Sequence, residues 1–191
     1  MKFIRTEIAD VVICEPTIHG DNRGYFIETF REDKLNEFLG YQIKFCQDNE
    51  SKSSKGVLRG LHYQLAPFAQ TKLVRVMQGS VLDIAVDIRK NSPTFGKYVA
   101  VELSAKNKRQ LLVPRGFAHG FVVLEDNTVF AYKVDNYYSP ENDRGIAFND
   151  ENLSIDWKID CKELNLSAKD KVQPKLNETQ DLFKYGINYY E

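Results

Sequence analysis

Residues 56–89, GVLRGLHYQLAPFAQTKLVRVMQGSVLDIAVDIR, constrain the fold of this chain more than any other stretch. The end of the run, SVLDIAVDI, alternates: Leu82, Ile84, Val86 and Ile88 are uniformly apolar, while Val81, Asp83, Ala85 and Asp87 share the opposite face. Successive side chains of a strand point to opposite sides, so the first set is a core face and Asp83 lies behind it. There the carboxylate is either solvated or lines a cavity, and a cavity position requires a His, Lys or Arg partner. The same period runs through KLVRVM, where Lys72, Val74 and Val76 share one face and Leu73, Arg75 and Met77 the other. LRGLHYQ adds Arg59 and His62 beside a glycine. Charge set into strand sequence in this way builds a polar cavity without giving up the core.

Short strand signals recur along the rest of the chain. Residues 3–13, ending near Pro16, read as an edge or leading strand, and the turn residues Gly20, Asp21, Asn22 and Gly24 feed a second strand over 25–30. Thr29 and Glu32 have the spacing of a capping box for a helix over 30–39, closed by Gly40. Residues 41–48 read as a strand, and the polar NESKSSKG after it is either a mobile lid or a surface turn. Further strands are expected over 97–103, 109–113, 120–124 and 128–134. With little room for crossover helices between them, they predict an all-β sandwich or barrel with short peripheral helices. A length of 191 residues suits one domain, 1–191. The last part is turn-rich, with a short strand or bend around Trp157 and a capped helical turn at LSAKDK. A polar tail over 175–191, carrying Phe183, Tyr185, Tyr189 and Tyr190, is expected to pack across the sheet.

Composition excludes some functions. A formal net charge of −1 and a pI near 6.3 favour neither nucleic acid nor an anionic membrane. No apolar run approaches the roughly 20 residues that span a bilayer, and the N-terminus lacks a signal-peptide apolar region, so a cytoplasmic protein is expected. Cys14, Cys46 and Cys161 are widely separated and read as free thiols. His62 is followed by Tyr63 and Gln64, and His119 by Gly120 and Phe121, so neither has the i, i+2 partner of a facial metal site. No metal is expected. Each of these histidines has an arginine upstream, Arg59 or Arg115, among turn-forming glycines. A cavity of His, Lys, Arg, Tyr and Asp without metal suits acid–base chemistry on an anionic substrate.

These residues fall in motifs that resemble the dTDP-4-dehydrorhamnose 3,5-epimerase family, from DNRGYFIETF (21–30) through FCQDNESKS and GVLRGLHYQ (45–64) to KLVRVMQGSVLDIAVDIR (72–89). The match continues through VPRGFAHGF (113–121), YKVDNYYSPENDRGIAFND (132–150), IDW (155–157) and LSAKD (166–170). The resemblance implies a cofactor-independent cupin jelly roll acting on a dTDP-4-keto-6-deoxy sugar. It implies His62 as general base paired with Asp170, Lys72 as stabiliser of charge on the C4 ketone oxygen, and Tyr132 as acid on the opposite face of the ring. It further implies Arg59 and Arg23 on the diphosphate, with Phe26, Glu28, Gln47, Asn49 and Tyr138 on the nucleotide. It also implies His119 at the substrate cavity, in a second buried pair with Asp83 that supports it. The family resemblance also implies a homodimer exchanging N-terminal strands, so that residues 23–28 complete the neighbouring site. Epimerisation at C3 alone, action on a related nucleotide sugar, and a non-catalytic sugar-binding cupin are the alternatives. The chain departs from the family pattern at Thr71, Lys158 and Ala168 and in its aromatic tail.

Overall fold

In the computed structural model, which describes residues 1–190, the alternating strands form two facing antiparallel sheets. In chain order the elements are β1 (Lys2–Arg5), β2 (Val12–Glu15), β3 (Ile18–Asp21), β4 (Gly24–Ile27), α1 (Glu32–Leu39), β5 (Gln47–Ser53), β6 (Val57–Gln64), β7 (Lys72–Gln78) and β8 (Ser80–Asp87). They continue with β9 (Arg89–Lys90), β10 (Tyr98–Ser104), β11 (Gln110–Val113), β12 (Phe117–Val123), β13 (Thr128–Val134), β14 (Asp143–Gly145), β15 (Asn165–Leu166) and β16 (Phe183–Lys184). One sheet has the order β1-β2-β11-β7-β13-β5. The other is β10-β8-β12-β6-β14, with β15 added in parallel on β6. This is the all-β jelly-roll architecture the sequence predicts. No helix among the described residues is long and apolar enough to cross a membrane.

The alternation reappears as three apolar layers. Between the sheets, Val74, Leu111 and Phe130 meet Val81, Ala85 and Phe121. On the outer face of the second sheet, Leu82, Ile84, Val86 and Ile88 pack under Ile146, Leu153, Trp157 and Phe183. The uniformly apolar stripe of β8 is therefore a core face, covered by the C-terminal segment, and the Asp83 face looks inward between the sheets. Outside the first sheet, Val12, Leu73 and Leu112 pack against Leu35 of α1 and Ile43. Each such side chain contributes roughly 1.5–3 kcal/mol when fully buried, which is how the fold sustains charged groups on the inner face of β8.

Several boundaries differ from the sequence reading. Residues 41–46 are not a strand: Ile43 packs on α1, its N–H donating to Asn36 Oδ1 at 2.9 Å. The strand is instead β5, which includes most of the supposed polar loop and pairs residue by residue with β13, from Thr128 opposite Ser53 to Val134 opposite Gln47. QDNESKS is polar on both faces, so an edge strand held by its backbone ladder shows no apolar period. The lid reading of NESKSSKG is thereby overturned for residues 49–53. No capping box opens α1: Arg31 is the N-cap without a side-chain bond, and the acidic Glu32 and Asp33 occupy the first turn, where they complement the helix dipole. Thr29 lies outside the helix, its carbonyl accepting from Gln110 Nε2 at 2.6 Å. The closing Gly40 is left-handed at φ 80° as expected. The first strand signal is two strands, β1 and β2, joined by a turn that buries Ile8 and Val11.

Candidate active site

His62 and His119 face each other across β6 and β12, in direct register. The glycine beside each makes this possible. A Cβ at Gly60 would stand 2.5 Å from Gly120 Cα, and one at Gly120 would stand 2.9 Å from the Arg59 carbonyl oxygen. The ladder shifts register between His119 and Phe121 at that crossing, so close backbone approach here requires glycine.

His62 is bonded through Nε2 to Asp170 Oδ1 at 2.5 Å. Asp170 sits in the short helical turn after β15, where its backbone N–H donates to Ser167 Oγ at 3.1 Å and Ser167 Oγ donates to its Oδ2 at 2.8 Å. Burial raises the pKa of the Asp170 carboxyl, but the bonds from His62 and Ser167 and the nearby Lys169 bring it below the ordinary value. The carboxylate is thus held ionised against a partly exposed imidazole. With the Nε2 proton donated to Asp170, Nδ1 carries the free lone pair of the ring.

His119 makes a second pair, its Nε2 lying 2.9 and 3.0 Å from the two oxygens of Asp83. Both side chains are almost fully buried. Burial pushes Asp83 up and His119 down, and their mutual attraction only partly opposes it.

Lys72 opens β7 on the facing sheet, and Tyr132 projects from β13 beside it. Burial lowers the Lys72 ammonium to about 8, against the pull of Asp143 and Asp83. The Tyr132 hydroxyl is raised by burial and opposed by Arg59, so it remains protonated at neutral pH. Arg59 donates to Ser53 Oγ at 3.2 Å. A cavity of about 500 Å³ is walled by Arg59, His62, Lys72, His119, Tyr132 and Asp170. A second hollow of about 250 Å³ shares His62, Lys72 and Tyr132 with it and adds Gln47, Asn49 and Tyr138.

The structure therefore brings together every site residue read from 47–170. It does not bring in Arg23, Phe26 or Glu28 of the same chain, which line neither cavity. Arg23 is exposed and paired with Asp21, and Glu28 pairs with Arg31 and Lys34. Sequence reasoning left Ser167, Asp143 and Lys169 without roles. Asp143 lines the smaller hollow, pairs with Lys169 and accepts from Tyr138 Oη at 3.1 Å. All three stand inside the quoted motifs, and only contact with Asp170 or the hollow marks them out.

Residues 5–178 match the family described as dTDP-4-dehydrorhamnose 3,5-epimerase. This chain belongs to that family. An epimerase of that name from Shigella flexneri is 57% identical over 159 residues, covering 83% of this chain and 88% of its own. The crystal structure of the epimerase from Elizabethkingia anophelis NUHP1 superposes with a TM-score of 0.91 at 52% identity, covering 94% of this chain and 98% of that one. The dTDP-6-deoxy-D-glucose-3,5-epimerase of Legionella pneumophila, in complex with dTDP-4-keto-L-rhamnose, does so with a TM-score of 0.93 at 48% identity, covering 97% and 99%. The family's fold is the jelly roll described above.

Proposed function

We propose that this chain is a dTDP-4-dehydrorhamnose 3,5-epimerase, converting dTDP-4-dehydro-6-deoxy-D-glucose to dTDP-4-dehydro-L-rhamnose by inverting C3 and C5. One observation carries the mechanism: the His62–Asp170 pair projects from one sheet and Lys72 with Tyr132 from the other, around one cavity. Inverting a carbon α to a ketone requires a proton to leave one face and another to arrive at the opposite face. A base and an acid on facing sheets suit that requirement.

In this mechanism His62 takes the α-proton, and Asp170 stabilises the imidazolium that forms. The electron pair of the broken C–H bond moves toward the C4 oxygen, where the ammonium of Lys72 meets charge that is absent from the ground state. Tyr132 returns a proton to the carbanionic carbon from the other side. His62 then releases its proton to water and the Tyr132 phenolate regains one from water, which resets both groups, and the cycle repeats at the second carbon. Arg59 holds the diphosphate, and Gln47, Asn49 and Tyr138 border the nucleotide. His119, fixed by Asp83, shapes the sugar wall. No cofactor enters these steps.

The exposed β3–β4 hairpin completes a partner's site in a homodimer, with Arg23, Phe26 and Glu28 as its contribution. Its support is the exposure of Phe26 (70%) and Tyr25 (59%), which find no core in their own chain, and the absence of hairpin residues from the lining of its own cavity. Incubation with the 4-keto substrate in D₂O tests the reaction. Deuterium at both C3 and C5 is expected, deuterium at C3 alone makes the chain a 3-epimerase, and no incorporation with retained nucleotide binding makes it a sugar-binding cupin.

A further inference from the structure

Residues 179–190 lie beyond the stretch matched by the family model, and the reaction above leaves them without a task. They touch the residue after His62 and the residue before Lys72, at two strands of different sheets. Because strand neighbours point to opposite faces, the residues next to His62 and Lys72 face away from the cavity, and the tail holds both. Tyr63 donates from Oη to the Asp181 carbonyl at 2.9 Å, and its ring meets Phe183 edge-on at 6.2 Å. Thr71, fully buried, shares a hydrogen bond of 2.9 Å between its Oγ1 and Tyr190 Oη. Between these ends β16 pairs in parallel with β9, and Tyr189 packs edge-on against Phe183 at 4.8 Å.

The Tyr190 end is bonded on every side. The Arg115 backbone N–H donates to Tyr190 Oη at 3.4 Å, its guanidinium lies 5.0 Å from the ring, and one of its terminal nitrogens donates to the Tyr189 carbonyl. Arg115 Nε also donates to Asp135 Oδ2 at 3.2 Å, while Asp135 Oδ1 accepts from the Thr71 backbone N–H at 2.6 Å. Thr71 and the aromatic tail, two of the places where this chain departs from the family pattern, are thus one assembly immediately behind Lys72.

We infer that residues 181–190 are a strap that sets the separation of His62 from Lys72, and that Tyr190 is a positioning residue for Lys72 acting through Thr71. This rests on the reading of Lys72 as the group that meets charge on the ketone oxygen. Tyr190→Phe keeps the ring on Tyr41 and Arg115 and removes only the hydroxyl. It is expected to lower kcat about fivefold with KM held within about twofold, well inside the ~10²-fold that a misplacement of ~1 Å costs. The alkaline limb of kcat/KM should move upward from about 8 as water reaches Lys72, while the acid limb stays in place. Thr71→Ser should preserve kcat and Thr71→Val should reproduce Tyr190→Phe. The double variant should fall short of the product of the two single effects, because both single variants break the same bond between Thr71 and Tyr190. Ending the chain after Gln180 should lower kcat further, since the Tyr63 contact goes too. Wild-type kcat and an unmoved alkaline limb in Tyr190→Phe overturn the strap. An alkaline limb that persists in Lys72→Met overturns the Lys72 reading and the inference with it.

Discussion

His62 and His119 stand opposite each other on adjacent strands, each bonded through Nε2 to an aspartate, and they differ mainly in access to water. The His62 side chain is 29% exposed and that of His119 7%, while their carboxylates are 4% and 0% exposed. In the first pair, hydrogen bonds outweigh burial at Asp170 and keep it ionised beside an imidazole that substrate can reach. In the second, burial dominates both partners and drives each toward its neutral form. The same two groups thus stand once with a ring open to the cavity, as the proposed proton transfer requires, and once with a ring almost withdrawn from water, as the proposed support of the cavity wall requires.

The sharpest way to break that comparison is to remove each pair in turn. His62→Ala and Asp170→Asn are each expected to lower kcat by about 10²-fold or more, in line with general acid–base catalysis, with kcat and not stability the larger effect. Asp83→Ala should do the reverse, costing roughly 1–3 kcal/mol in chemical denaturation because the buried His119 ring N–H is left without its acceptor. An Asp83→Ala protein of normal stability that is as slow as Asp170→Asn would exchange the roles of the two pairs.

The pH profile sharpens the contrast further. Lys72 loses its charge near 8, so kcat/KM should fall above that pH, approaching tenfold per unit. The bound diphosphate favours the ammonium, so the limb in kcat should lie higher than that in kcat/KM. Folding responds with the opposite sign. A lysine depressed in the folded state is a charge burial that costs stability below about 8 and ceases to cost it as pH rises toward 10.5. Lys72→Met should therefore be more stable than wild type at pH 7, and the gap should close between those values in parallel thermal melts.

The smallest effect is expected farthest from both pairs. Arg23→Ala should raise KM several-fold with kcat little changed, and the rise should vanish on dilution to monomer if a partner supplies the arginine. An unaltered KM in the concentrated protein would remove the hairpin from the site.

Much of the fold was legible because β8 and β7 alternate with period 2, their two faces differing in composition. β5 was misplaced because a polar edge strand is specified by its partner's backbone, which leaves no periodic mark in QDNESKS. The helix start was misread because Thr29 and Glu32 have capping-box spacing while Gln110 claims the Thr29 carbonyl. Within the site, alternation marked His62 and Lys72 as polar groups set in strand sequence, but β6 and β7 lie in different sheets, so the two stand on facing walls rather than on one, which alternation does not reveal. Asp170, 108 residues from His62, was reached only through family resemblance. The contact of Thr71 with Tyr190 was not readable at all.

By itself, the sequence determined the class of fold, the faces of its central strands and the stock of acid–base groups, since these follow from local side-chain order and backbone geometry. Tertiary structure alone decided how far each histidine is exposed, how far Lys72 is desolvated, and what stands behind it. Those properties depend on water excluded by residues distant in the chain, and exclusion is a property of packing that no local pattern encodes.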